Sequence, residues 1–190
     1  MNLRLGILAL VLLILTPLGA SADPRSPAEP TDEVDVADVI PALQPLTFLV
    51  GSWEPTEAPK GSTGGCEFYP SVDGHLIVRS NYADYPATDK EPGHFHDDMM
   101  VIFVEREEVH ADYYDNEGKV IRYTVSVPDS HHAVFLSAPS DAEPKFRLSY
   151  TLSDDGGELD GLFEICPPGS PNLYQTYLSW KMRKIGEPET

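Results

Sequence analysis

The sequence predicts an all-β domain, an antiparallel up-and-down barrel of about nine or ten strands with a short N-terminal helical plug. Three observations carry this. Short runs rich in Val, Ile, Tyr and Phe follow one another from residue 51 onward, with turn residues between them. No stretch of that region has the 3.6-residue apolar period of a helix. One hairpin can be registered residue by residue, and its register separates an apolar face from a polar one.

The chain opens with the three parts of a secretory signal. Arg4 is the positive n-region, Leu5 to Leu15 is an apolar run too short to span a bilayer comfortably, and Ala20-Ser21-Ala22 is a small-residue cleavage pattern. Residues 1–22 therefore read as a signal peptide, and the protein as secreted or periplasmic after cleavage near Ala22. An uncleaved signal anchor is the alternative. Residues 23–38 are acidic and proline-rich with few groups that can pack, and read as a disordered leader. Residues 39–186 make the barrel domain. Its first segment, Val39 to Val50, is apolar but interrupted by Pro41 and Pro45, which suits short turns plugging the end of a sheet.

The expected strands are Cys66–Tyr69, His75–Tyr82, Asp98–Val104, Val109–Tyr114, Lys119–Val127, Ala133–Ser137, Phe146–Leu152, Leu159–Ile165 and Tyr174–Met182. Val72-Asp73-Gly74, Asp115-Asn116-Glu117-Gly118, Pro128-Asp129 and Ser153 to Gly157 supply turns between them. Gly61 to Gly65 reads as a flexible connection. Hairpin-linked strands without intervening helices form a meander, which closes most simply into a barrel and so loses its exposed edges. A two-sheet sandwich is the other arrangement.

Asp115 to Gly118 suits a type I turn followed by Gly118 in the left-handed region, which pairs Asp115 with Lys119. Asp112 then faces Arg122, and Ala111 faces Tyr123. An opposed Asp–Arg pair belongs outside, so Val109, Ala111, Tyr113, Ile121, Tyr123 and Val125 line the interior. A turn at Glu105–Glu108 pairs Val104 with Val109 and adds Met100, Ile102 and Val104 to that face. Alternation carries it on to Asp98 and His96.

The formal charge of −18 becomes one unit more negative when Arg4 leaves with the signal. Such a chain repels nucleic acid and anionic lipid, so neither is an expected partner. No second apolar run is long enough for a membrane span, and the expected state is a monomer or weak dimer. Cys66 and Cys166 are the only cysteines. In an oxidising compartment such a pair is expected to bridge, closing a loop worth on the order of 4–5 kcal/mol. Two separately buried thiols are the alternative.

Gly93-His94-Phe95-His96-Asp97-Asp98 carries the densest chemistry. On an extended strand His94, His96 and Asp98 share a face, the one that lines the barrel. Three uses are open: solvent-exposed residues at the mouth, contacts to a small molecule, or ligands for a metal or haem. The candidate binding residues are His96, Asp98, Met100, Tyr113 and Tyr123. No metal set and no cofactor is assigned. His131 and His132 stand in a turn, and His110 falls on the outer face. No Gly-x-Ser-x-Gly elbow occurs, and the glycines at 61–65 lack the lysine of a phosphate loop. No catalytic assignment follows.

Leu49-Val50-Gly51-Ser52-Trp53, after the plug and before the strands, resembles the Gly-x-Trp opening of lipocalin and fatty-acid-binding (calycin) barrels. That resemblance implies a Trp53 that closes one barrel end against a basic side chain of the last strand, Lys181 or Arg183. More of the chain is similar to a group of secreted bacterial lipocalin-like proteins of unknown function. The matching stretches are His96-Asp97-Asp98-Met99-Met100, Asp112 to Gly118 with Val120-Ile121-Arg122-Tyr123, Phe146 to Tyr150, and Phe163-Glu164-Ile165 onward to Trp180. The opening is also similar to nitrobindin-type haem barrels, but no haem-ligating histidine matches, so haem is not carried over. Three functions stay open: a barrel holding a small apolar or amphiphilic molecule, an envelope interaction protein with a solid core, and an enzyme using His96 and Asp98 for acid–base chemistry.

Overall fold

The computed structural model describes residues 35–58, 61–89, 92–138, 142–170 and 172–185. The expected signal peptide and most of the leader lie outside the described residues. All that is described belongs to one compact unit. No helix among the described residues is long and apolar enough to cross a membrane.

Ten strands make the fold. They are β1 (Gly51–Pro55), β2 (Thr63–Ser71), β3 (Leu76–Tyr85), β4 (His94–Glu105) and β5 (Glu108–Asp115). Then come β6 (Val120–Asp129), β7 (His132–Ser137), β8 (Lys145–Leu152), β9 (Glu158–Cys166) and β10 (Gln175–Lys184). Each pairs antiparallel with its neighbours in sequence, and β1 closes the ring against β10. The sheet is a closed barrel, not a sandwich, because β1 has a partner on both sides and no edge remains.

The registered hairpin holds. Gly118 takes a φ of 84° and its N–H donates to the Asp115 carbonyl at 3.0 Å. Asp112 pairs with Arg122, Ala111 with Tyr123, and Val104 with Val109. Met100, Ile102, Ala111, Tyr123 and Val125 are buried.

Two strands start several residues earlier than the sequence suggests. β2 begins at Thr63, so Gly64 and Gly65 are paired strand residues and not a loose link. A Cβ at Gly64 would stand 3.0 Å from the Tyr82 carbonyl oxygen, and one at Gly65 3.1 Å from the Tyr82 ring. Close approach of β3 explains the glycines there. β4 begins at His94, which pairs with Tyr85, and this brings both histidines into the sheet.

The plug is two 3₁₀ turns, Val36–Asp38 and Gln44–Leu49. The first lies within the expected leader, so order begins before residue 39. The Asp35 side chain caps it by accepting from the Ala37 N–H at 3.0 Å. Pro45 starts the second, where its missing N–H costs nothing. Val39, Leu43, Leu46 and Leu49 are buried by this segment. The Ile40 N–H donates to the Gly74 carbonyl at 3.1 Å, tying the plug to the β2–β3 turn. Gly74 has a φ of 73° and a Cβ there would collide with the Asp38 carbonyl, so only glycine permits the contact.

Above the plug the barrel is filled. Trp53, Phe68, Ile77, Met100, Ile102, Phe135 and Leu159 are fully buried in one cluster with the plug leucines. The Trp53 indole N–H donates to the Leu49 carbonyl at 2.8 Å. The cation over its ring is Lys184, whose Nζ lies 5.5 Å from the ring centroid, and neither Lys181 nor Arg183 takes that place. On β10 Trp180, Met182 and Lys184 share the inward face, whereas Lys181 and Arg183 point outward to pair with Asp160 and Glu54. Gly51 leaves the room: a Cβ there would stand 2.7 Å from the Lys184 Cε.

The expected disulfide is absent. Cys66 and Cys166 are both free and buried. Cys66 sits on β2 opposite Trp53 and Asn81, and Cys166 on β9 opposite Lys145, with β1 and β10 between the two strands. Burial foremost pushes the Cys66 thiol up to about 12. The Cys166 thiol donates to the Ser170 carbonyl at 3.1 Å. Denatured without reductant, the protein should take up two equivalents of an alkylating reagent; native protein should react far more slowly. An intact mass two protons lighter, with no labelling, would contradict the free-thiol structure.

Candidate functional site

The barrel's two ends differ. The plug sits beside the β2–β3 turn, while the opposite end, the mouth, is where β1, β3, β5, β7 and β9 end and β2, β4, β6, β8 and β10 begin. Along β3 the inward residues run Ile77, Arg79, Asn81 towards the mouth. Along β4 they run Ile102, Met100, Asp98, His96, His94 in the same direction. The lining thus turns from apolar to polar halfway up the barrel.

Arg79 is the pivot of that change, at 5% exposure. Its guanidinium is ion-paired with the Asp98 carboxylate and also donates to the Tyr150 hydroxyl at 2.5 Å. Burial works against the charge, but Tyr150, Asp98 and Cys66 together hold the Arg79 pKa above its ordinary value. Asn81 donates to Asp98 Oδ2 at 2.7 Å, and His96 Nε2 lies 3.1 Å from the same oxygen. A carboxylate only accepts, so His96 carries its proton on Nε2 and turns Nδ1 towards the mouth. The Tyr113 hydroxyl donates to Asp115 Oδ2 at 3.2 Å and stands 3.4 Å from His96 Nε2. Burial, then the Asp98 and Asp115 charges, raise the Tyr113 pKa, so its hydroxyl keeps its proton.

The β5–β6 turn completes the rim. Asp115 Oδ1 accepts from the Glu117 N–H at 3.0 Å and the Lys119 N–H at 2.8 Å. Asn116 clasps β4, donating to the Phe95 carbonyl at 3.0 Å and accepting from the Asp97 N–H at 3.2 Å. The clasp sets Glu117 over the histidines, with Oε1 3.5 Å from His94 Nε2 and 3.8 Å from His96 Nδ1. Lys119 holds the other Glu117 oxygen. The His94 ring is stacked on Tyr85 at 6.4 Å.

β9 lies diametrically opposite β4 in the strand order, and its inward Phe163 meets aromatic side chains of β8 and β10. Phe146 of β8 stacks on Phe163 of β9 at 5.8 Å, and Phe163 meets Tyr177 edge-on at 6.1 Å. Phe146, Phe163, Ile121 and Tyr113 are only partly buried, at the upper margin of the core.

Of the residues singled out from sequence, His96, Asp98 and Tyr113 come together. Met100 and Tyr123 do not line the mouth; both are buried in the core beneath it, where Tyr123 packs edge-on against Phe135. His132 pairs with Asp129 in the β6–β7 turn, away from this group. Arg79, Asn81, Asp115, Glu117 and Tyr150 join the group without a local motif that marks them. Asp115 carried a usable signal: extending the Val104–Val109 register sets it directly opposite Asp98, and two inward carboxylates demand a cation. Arg79, flanked by Ile77 on the inward face, is that cation.

A depression of about 510 Å³ lies on the outer wall, lined by Ser149, Thr151, Asp160, Ser179 and Lys181. It is separate from the mouth. Removing one partner of the Arg79–Asp98 pair leaves an uncompensated buried charge, so Arg79→Met or Asp98→Leu alone should cost about 3–5 kcal/mol. The double variant should recover a large part of that loss, read as the midpoint of urea unfolding. Additive losses would show that the pair is not the coupling element. No protein-family model and no curated protein matches the chain, so the site stands on its own geometry.

Proposed function

We propose that the chain is an exported, lipocalin-like binding protein that takes a small amphiphilic molecule at the open end of its barrel. The observation that carries this reading is the division of the mouth into two walls. His96 and Tyr113, set above the buried Arg79–Asp98 pair, form a hydrogen-bonding wall, and Phe146, Phe163 and Tyr177 form an aromatic wall across from it. A molecule with a polar head and an apolar body matches both, which neither a wholly apolar nor a wholly polar one does. The lower barrel is occupied by side chains, so the ligand belongs above Met100 and Tyr150. Binding is favoured over acid–base catalysis because both Asp98 oxygens are already held, by Arg79 and Asn81. That arrangement pins the carboxylate in place.

Native mass spectrometry of the exported protein should show a retained mass that disappears on denaturation. The amphiphilic anion 1-anilinonaphthalene-8-sulfonate should bind saturably, and Phe163→Ala should weaken it roughly 10- to 150-fold, as expected for losing about 1.5–3 kcal/mol of aromatic contact. A bare native mass together with no saturable probe binding would refute the reading.

One observation favours an interaction role instead. Tyr82, Phe95, Met99, Tyr114 and Val120 are exposed on the outer faces of β3 to β6, with Met99 opposite Tyr114 and Tyr114 opposite Val120. Such a contiguous apolar stripe marks association surfaces. If it does so here, sedimentation should detect self-association that Met99→Asp abolishes. A strictly monomeric protein at high concentration would leave the stripe without that role.

A further inference from the structure

At the rim, two imidazoles and one carboxylate converge in a way the organic-ligand reading does not require. His94, His96 and Glu117 each offer one ligand atom, and the three atoms lie within 4.8 Å of one another. Glu117 Oε1 is 3.5 Å from His94 Nε2 and 3.8 Å from His96 Nδ1. Ligand atoms around a tetrahedral zinc ion, with bonds of about 2.0 Å, stand roughly 3.3 Å apart, so both contacts to Glu117 are near that spacing and the two imidazoles must draw together around the ion. We infer that His94, His96 and Glu117 form a binding site for a zinc-type divalent transition metal ion, with its fourth position open to the mouth.

The second support comes from the nitrogen of His96 that faces away. His96 Nε2 is bound to Asp98 Oδ2 at 3.1 Å, which places the proton on Nε2 and leaves the Nδ1 lone pair facing Glu117 and His94. Metal-ligating histidines have this arrangement, in which a carboxylate behind the ring fixes tautomer and direction. Asp98 is itself buried and held by Arg79 and Asn81, so the ring is oriented before any ion arrives. Glu117 is presented in the same way, through the Asp115 and Asn116 contacts of its turn. Lys119 holds only Oε2 and leaves Oε1 to the histidines.

Local charge agrees. Asp98, Asp115 and Glu117 outnumber Arg79 and Lys119, so the rim attracts a cation even with both basic groups present. Imidazole nitrogens select zinc, copper, nickel or cobalt over calcium and magnesium, which prefer all-oxygen sets. The inference does not depend on the organic ligand, since the metal set lies on β4 and the β5–β6 turn alone.

The test is a zinc titration of the full exported chain after chelator treatment, followed by isothermal calorimetry and by metal analysis of dialysed protein. One equivalent of zinc should bind. His94→Ala and His96→Ala should each weaken it at least 10-fold, and Asp98→Asn about 10–100-fold. His110→Ala and His132→Ala, outside the set, should leave it unchanged. Cobalt in place of zinc should give the visible absorption of a four-coordinate site, and His94→Ala should abolish that absorption. His94 is exposed, so this variant tests the site even if Asp98→Asn fails to fold. No saturable zinc binding, or binding equal in wild type and His94→Ala, would overturn the inference. Zinc binding with neither a retained organic mass nor saturable probe binding removes the ligand reading alone, and an organic mass without zinc removes the metal site alone.

Discussion

A guanidinium held inside a β-barrel needs a counter-charge, and meeting that need shapes the upper half of this molecule. Arg79 is inward because Ile77 is inward and side chains on a strand alternate. Once there, it must be neutralised, because several kcal/mol attach to each uncompensated buried charge. Asp98 supplies the charge, and its other oxygen, Oδ2, organises Asn81 and His96. Tyr150 takes the other arm of the guanidinium and passes the contact to the aromatic core, edge-on to Phe68 and Phe135. The polar mouth and the apolar floor are therefore two sides of one ion pair.

The plug makes the two ends of the barrel unequal. Trp53 is anchored to the plug through the Leu49 carbonyl and covered by Lys184, and the leucines of the plug fill the space beneath it. With that end packed and every strand paired, the mouth is where the interior chemistry meets the surroundings. His96 marks the transition, its side chain 26% exposed while that of Asp98 is 3% exposed. A group so placed has one nitrogen committed to the interior and one available outward, which suits recognition better than packing.

Much of this arrangement was legible from residue types. The Asp115–Gly118 turn fixed one register, and the alternation of Val109 to Val125 then sorted inside from outside through three strands, including the inward placing of His96 and Asp98. Where the reading fell short, the cause was contact between strands distant in sequence. The cation over Trp53 depends on which face of β10 meets β1, and the alternation from Met182 puts Lys184 there. The cysteines looked like partners because they were the only two, yet two strands separate them in the ring. Met100 and Tyr123 were placed on the correct face but at a depth that alternation does not report.

What the sequence alone determined is the all-β class, the meander and the division of each strand into two faces. These follow from local turn chemistry and a period of two, which need no knowledge of distant contacts. The tertiary structure decided what closes and what converges. Arg79 and Tyr150 stand 71 residues apart and meet only because the ring brings β3 and β8 to face each other across the interior. His94 and His96 meet Glu117 through a clasp between a strand and the turn beyond its neighbour. Barrel closure and depth are properties of the whole ring, and no local pattern encodes them.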